Sequence, residues 1–129
     1  HRNALRSALL SAAVDVLLIE DEPNIAEAVR FVLARDGWNC ESWAQGTGAI
    51  ERIRLLTPRM LILDLMLPGR SGGELLDELP ADPDLCHLPV LLLSACGGAN
   101  MPTEANLTLA KPFANADLRA AVRELLDTA

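Results

Sequence analysis

The chain has 129 residues, 50% hydrophobic and 22% charged, with 18 acidic against 11 basic side chains and a formal net charge of −7. That length suits one domain with a core of its own, and the apolar content excludes a disordered chain, which pairs low hydrophobicity with high net charge. No stretch nears about 18 uninterrupted apolar residues, so no membrane-spanning helix is expected, and a net negative charge without a basic cluster argues against direct nucleic-acid binding.

Residues 1–14, HRNALRSALLSAAV, carry Arg2 and Arg6 and no acid. A secretory signal has a comparable pattern, but there is no initiator Met and a strand follows at once. The segment reads as a cloning remnant or an N-terminal helix or linker ahead of a domain over 15–129. Four aliphatic blocks then mark strands: Val16–Ile19, Met60–Leu63, Val90–Leu93 and the weaker Leu107–Ala110. Each is continuous instead of alternating, as in strands buried on both faces of a parallel sheet. Trp38–Ala44 is a fifth, more polar candidate for an outer position.

Helical patterns fill the gaps. Asp21–Glu22–Pro23 offers a helix start, and Ile25, Ala28, Val29, Val32 and Leu33 form a stripe that stops at Asp36–Gly37. Ala49, Ile50 and Ile53 mark a second helix, ending before Pro58. Leu75, Leu76 and Leu79 mark a third, ended by Pro80, and Leu118, Ala121, Val122, Leu125 and Leu126 a strong last one. Strand and helix in alternation predict a doubly wound α/β domain with a parallel sheet and helices on both faces. The exception is CGGANMPTEAN at 96–106, whose Gly97, Gly98 and Pro102 make a full-length helix unfavourable.

The side-chain inventory narrows the chemistry. Phe31, Trp38, Trp43 and Phe113 are the whole aromatic stock, 3% of the chain with no Tyr, which excludes a site built on aromatic platforms. Cys40, Cys86 and Cys96 show no CxxC spacing and read as reduced thiols of a cytoplasmic protein.

Chemistry on such a sheet gathers at the carboxyl ends of the strands. Those ends carry Glu20 and Asp21, then Asp64, Ser94 and Lys111. Each residue alone has a plainer reading: a helix cap for Asp21, a turn for Asp64, a solvated loop lysine for Lys111, and nothing distinctive for Ser94. Together they place three carboxylates on one edge, where like charges repel unless cations offset them. Lys111 supplies one positive charge, and an all-oxygen donor set suits Mg²⁺. Such an arrangement lets Asp64 attack phosphorus and form an aspartyl phosphate, with Mg²⁺, Lys111 and Ser94 stabilising the transferring oxygens.

These residues resemble the receiver domain of two-component response regulators. VLLIEDEPNI at 16–25 is similar to that family's first strand and acidic pair. LILDLMLPGRSGGEL at 61–75 matches its phosphoacceptor motif, with Met66, Pro68, Gly69 and Gly72 in register. PVLLLSA at 89–95 and LAKPF at 109–113 match its fourth strand and lysine–proline motif. The resemblance covers residues 15–127. It implies a flavodoxin-like five-stranded parallel sheet in the order 2-1-3-4-5. It also implies Asp21 and Asp64 as Mg²⁺ ligands, Glu20 acting through water, and the Met66 backbone carbonyl as a further ligand. Asp64 would be the phosphoacceptor, Ser94 and Lys111 would contact the phosphoryl group, and the Lys111–Pro112 bond would be cis. The implied donor is a sensor histidine kinase or phosphotransfer protein, and the output a conformational switch acting on an unidentified downstream protein or attached domain.

Two departures modify that expectation. Thr108 stands where the family usually places an aromatic switch residue, so Ser94 movement cannot couple to a turning ring. Ser94 and Lys111 are only 17 positions apart, which predicts a short or absent fourth helix. That helix often belongs to the family's dimer face, so a monomer or an atypical dimer is expected. Trp43 replaces a usually small residue and reads as packing against the second helix, with a partner contact as the alternative.

The leading reading is therefore a phosphorylated signalling receiver, and the runner-up a receiver-like interaction module that works without phosphorylation. Enzyme readings fare worse. Phosphatases with an aspartate nucleophile generally carry a second Asp where Met66 stands, and no Ser/Thr-rich loop suits a flavin phosphate. Catalysis is expected only as assistance to the domain's own phosphorylation and dephosphorylation. No output domain follows Leu126, so a free-standing receiver or one cut from a longer protein, such as a hybrid kinase, is expected.

Overall fold

The computed structural model describes residues 13–95 and 105–128. Five strands form one sheet: β1 (Val16–Ile19), β2 (Cys40–Trp43), β3 (Met60–Asp64), β4 (Val90–Ser94) and β5 (Leu107–Ala110). All four pairings are parallel, in the order β2-β1-β3-β4-β5. Four α-helices accompany them among the described residues: α1 (Pro23–Arg35), α2 (Ala49–Leu56), α3 (Gly72–Glu78) and α4 (Asn115–Thr128). The flavodoxin-like doubly wound sheet expected from the chain is thus the observed one. The expected shortening of a helix between Ser94 and Leu107 falls on residues 96–104, outside the described residues, as do Cys96 and most of residues 1–14.

Successive side chains of a strand point to opposite faces, so the continuous blocks feed two cores. Val16, Leu18, Met60, Ile62, Leu91 and Leu93 pack with Val29 and Leu33 of α1 and Leu118 and Val122 of α4. Leu17, Ile19, Leu61, Leu63 and Leu92 pack on the other face with Ile53 of α2 and Leu75 and Leu76 of α3. Every residue of β1, β3 and β4 is buried, and each large aliphatic removed from water contributes about 1.5–3 kcal/mol. β5 is an edge strand and alternates between half-buried and exposed.

Two local expectations need adjusting. Asp21 does not cap α1; the N-cap is Glu22, which makes no side-chain cap bond, and Pro23 opens the helix. The reason lies one residue earlier, where Glu20 Oε2 accepts the Glu22 N–H at 3.1 Å and Asp21 is left exposed. α3 ends at Glu78 and runs into a 3₁₀ turn over Leu79–Ala81 that contains Pro80, whose fixed φ suits the start of such a turn.

Strand register positions the sheet edge. Ile19 pairs with Leu63, which sets Glu20 level with Asp64. Ser94 pairs with Ala110, so Lys111 follows directly beside it. β1 and β3 are neighbours although β2 lies between them in the chain. Their carboxyl ends therefore flank the point where strand order reverses, the usual ligand crevice of such sheets.

Candidate functional site

Glu20, Asp64 and Ser94 are the buried polar residues at this edge, 2%, 4% and 1% exposed. Lys111 reaches in from the end of β5. Its Nζ donates to Asp64 Oδ2 at 3.1 Å and forms an ion pair with Glu20 Oε1 at 2.9 Å. The second contact lacks hydrogen-bond geometry, and Glu20 Oε1 is a buried oxygen without a hydrogen-bond partner. Asp64 Oδ1 accepts the Met66 N–H at 3.1 Å. The Lys111 backbone N–H donates to the Ser94 carbonyl at 2.8 Å, which joins the ends of β4 and β5. The Lys111–Pro112 peptide is cis.

Ligand atoms of Glu20, Asp21 and Asp64 all lie within 4.8 Å of one another. The Glu20 carboxyl is pushed up from 4.5 to about 7, chiefly by burial and in part by the neighbouring Asp64, with Lys111 and the Glu22 N–H opposing the shift. For Lys111, burial works to lower the value, but the carboxylates of Glu20 and Asp64 outweigh it and the ammonium is held above its ordinary range. Three carboxylates share this edge with the Lys111 ammonium, so an excess of negative charge remains when all are ionised. The closely grouped ligand atoms of Glu20, Asp21 and Asp64, the exposure of Asp21 and the all-oxygen donor set fit a small divalent cation such as Mg²⁺, which keeps several waters.

Of the five predicted side chains, Glu20, Asp21, Asp64 and Lys111 thus converge, and Ser94 is buried at the end of the adjoining strand, its carbonyl bonded to the Lys111 N–H. Met66 is present through its backbone; its side chain is 66% exposed. Thr108 is exposed on β5, opposite Leu92 in register. Two supports stand behind these residues, Gly72 from the phosphoacceptor motif and a helix cap not singled out from the sequence. A Cβ at Gly72 would stand 2.2 Å from the Asp64 carbonyl oxygen, so only glycine lets α3 start against the strand end. Ser71 and Glu74 form a capping box on α3, a pattern legible as S-x-x-E just before the apolar positions.

The model of the response regulator receiver domain family matches residues 16–123, and the chain belongs to that family. It is 35% identical over 118 residues to the "probable transcriptional regulatory protein TcrX" of Mycobacterium tuberculosis, covering 88% of this chain and 50% of that protein. It is 33% identical over 116 residues to the phosphate regulon transcriptional regulatory protein PhoB of Rhizobium meliloti, covering 86% and 51%. Among solved structures, the signal receiver domain of a signal transduction histidine kinase from Syntrophus aciditrophicus superposes with a TM-score of 0.81 at 28% identity, covering 91% of this chain and 92% of that one. The chain spans about half the length of the curated relatives it matches. It is a receiver domain of the two-component type, a class of phosphoacceptor signalling domain and not a conventional enzyme. No helix among the described residues is long and apolar enough to cross a membrane.

Proposed function

We propose that this receiver accepts a phosphoryl group on Asp64 from a phosphohistidine of a sensor kinase or phosphotransfer protein, in a Mg²⁺-dependent reaction. The observation that carries the reading is Lys111 Nζ standing between two buried carboxylates, 2.9 Å from Glu20 and 3.1 Å from Asp64. Glu20, Asp21, Asp64 and the Met66 carbonyl would hold the cation, Glu20 through water. When bound, Mg²⁺ neutralises charge on the transferring oxygens.

In the transfer, one Asp64 carboxylate oxygen forms a bond to phosphorus as the P–N bond to the donor imidazole breaks. The imidazole leaves with the bonding pair and takes up a proton. Lys111, already ion-paired with Asp64, can follow the charge onto a phosphoryl oxygen, and the Ser94 hydroxyl can donate to another. The new group carries about −1.5 to −2 charges and replaces the single charge of the Asp64 carboxylate. That charge shifts the population between two conformations that a partner distinguishes, with Ser94 as the moving residue and Thr108 in place of a turning ring. The functional unit is the domain over 15–129, with residues 1–14 outside it, and its setting is cytoplasmic.

Intact-mass measurement after incubation with Mg²⁺ and acetyl phosphate tests the reading. One phosphoryl adduct is expected, lost in EDTA and in Asp64→Asn. No adduct, or an adduct that survives Asp64→Asn, overturns it. If Asp64→Asn leaves partner binding unchanged, the phosphorylation-independent module takes its place.

A further inference from the structure

Residues 44–48, between β2 and α2, and residues 65–71, between β3 and α3, form two interlocked loops. The Gly46 N–H donates to the Pro68 carbonyl at 3.1 Å. A Cβ at Gly46 would stand 1.8 Å from the Arg70 carbonyl oxygen, and one at Gly69, where φ is +80°, would stand 2.3 Å from Thr47 Oγ1. A side chain at either glycine would not fit, so the two loop backbones pack directly against each other here.

The first loop is braced from outside. Trp43, the last residue of β2, donates its indole N–H to the Thr47 carbonyl at 2.9 Å. The Arg52 guanidinium of α2 lies over the Trp43 ring, 4.4 Å from the centroid. The second loop follows Asp64, supplies the Met66 N–H to that carboxylate at 3.1 Å, and closes where the Gly72 N–H meets the Leu65 carbonyl at 2.9 Å.

We propose that Trp43 is a positioning residue for the metal site: by holding Thr47 it holds, through Gly46 and Gly69, the loop that presents Met66 to Asp64. The inference rests on the reading of Glu20, Asp21 and Asp64 as Mg²⁺ ligands. The indole is a donor only and offers the cation nothing itself. Its effect comes from preorganisation, because a loop already fixed in place loses less freedom when its groups engage a ligand.

The probe is Mg²⁺ alone. Thermal unfolding of the wild type, Trp43→Phe and Trp43→Ala is followed in EDTA and over a Mg²⁺ series, since a ligand of the folded state raises the midpoint according to its affinity. Trp43→Phe keeps a ring under Arg52 and deletes one donor. Its metal-free midpoint should stay near that of the wild type while Mg²⁺ binds about fivefold more weakly, the scale of one hydrogen bond. Trp43→Ala should bind at least as weakly, and the Met66 amide resonance should move in metal-free Trp43→Phe. Unchanged Mg²⁺ affinity in both variants overturns the proposal, including the case where only the metal-free midpoint falls, since that marks a purely structural role. A wild type that takes up no Mg²⁺ removes the site reading first, and is told apart because it shows before any variant is compared.

Discussion

Lys111→Met removes the ammonium that stands between two buried carboxylates and keeps the length of the side chain. The Lys111, Glu20 and Asp64 side chains are 15%, 0% and 5% exposed, at separations of 2.9 and 3.1 Å. At an effective dielectric of about 20, each such contact is worth about 5 kcal/mol before desolvation, and deleting one partner of a buried pair costs about 3–5 kcal/mol. Proton uptake by Glu20 limits the loss. Burial has already lifted this carboxyl to about 7, so ionising it costs the folded, metal-free state roughly 3 kcal/mol. A carboxyl raised on folding contributes stability that is fully present below its unfolded value and is lost as pH climbs through its folded value. Without Lys111 the folded value rises further. Below neutrality Glu20 is protonated in both proteins, and only the Asp64 contact separates them. Above about pH 7 the wild type stops losing stability through this group while the variant continues, so the gap widens by up to roughly 1.4 kcal/mol per pH unit. Urea unfolding in EDTA should therefore show a loss of about 3 kcal/mol near pH 8 and about half that near pH 5.5. A loss below about 0.5 kcal/mol near pH 8, or one equal at both pH values, would refute the buried triad.

The same structure makes further predictions. Gly72→Ala places its Cβ 2.2 Å from the Asp64 carbonyl oxygen and 2.8 Å from Leu65 Cα, both backbone atoms. It should lower stability in urea by about 1–3 kcal/mol and abolish labelling by acetyl phosphate; unchanged labelling would show that the strand end tolerates the shift. Mg²⁺ affinity measured calorimetrically should fall as pH drops from about 8 to about 6, because Glu20 takes up a proton near 7 and competes with the cation. A flat profile would remove Glu20 from the metal site. Cys40 is buried, and that burial pushes its thiol up to about 12, whereas Cys86 is exposed. Brief treatment of the native protein with N-ethylmaleimide should modify Cys86 and spare Cys40, read by peptide mapping; equal modification would mean that β2 opens readily.

Much of the fold was legible because its signals are local. Val16–Ile19, Met60–Leu63 and Val90–Leu93 are continuous aliphatic runs, and a strand buried on both faces needs that composition. The polar residue that ends each run stands out for the same reason. Local signals mislead where two groups compete for one role. Asp21 and Glu22 both precede Pro23, and the backbone N–H of Glu22 went to Glu20, leaving Asp21 exposed. The capping box of Ser71 and Glu74 was written in the chain but lay within the stretch matched to the phosphoacceptor motif, so its structural role went unread.

The sequence by itself determined which residues end the strands and what chemistry they share: three carboxylates, a hydroxyl and an amine. Tertiary structure decided what those groups do to one another. Lys111 and Asp64 are 47 positions apart and meet only because β4 lies between β3 and β5 in register. The same packing buries Glu20 and lifts its carboxyl to about 7, while Asp21, its neighbour in the chain, stays in water. The formal −7 assigns equal charge to both acids; burial separates them, because removing water penalises the ionised form of the one and leaves the other hydrated. The lone β2 tryptophan follows the same logic. Its contacts with Thr47 and Arg52 arise from how the β2–α2 loop folds back on the ring, and no pattern within the strand encodes them.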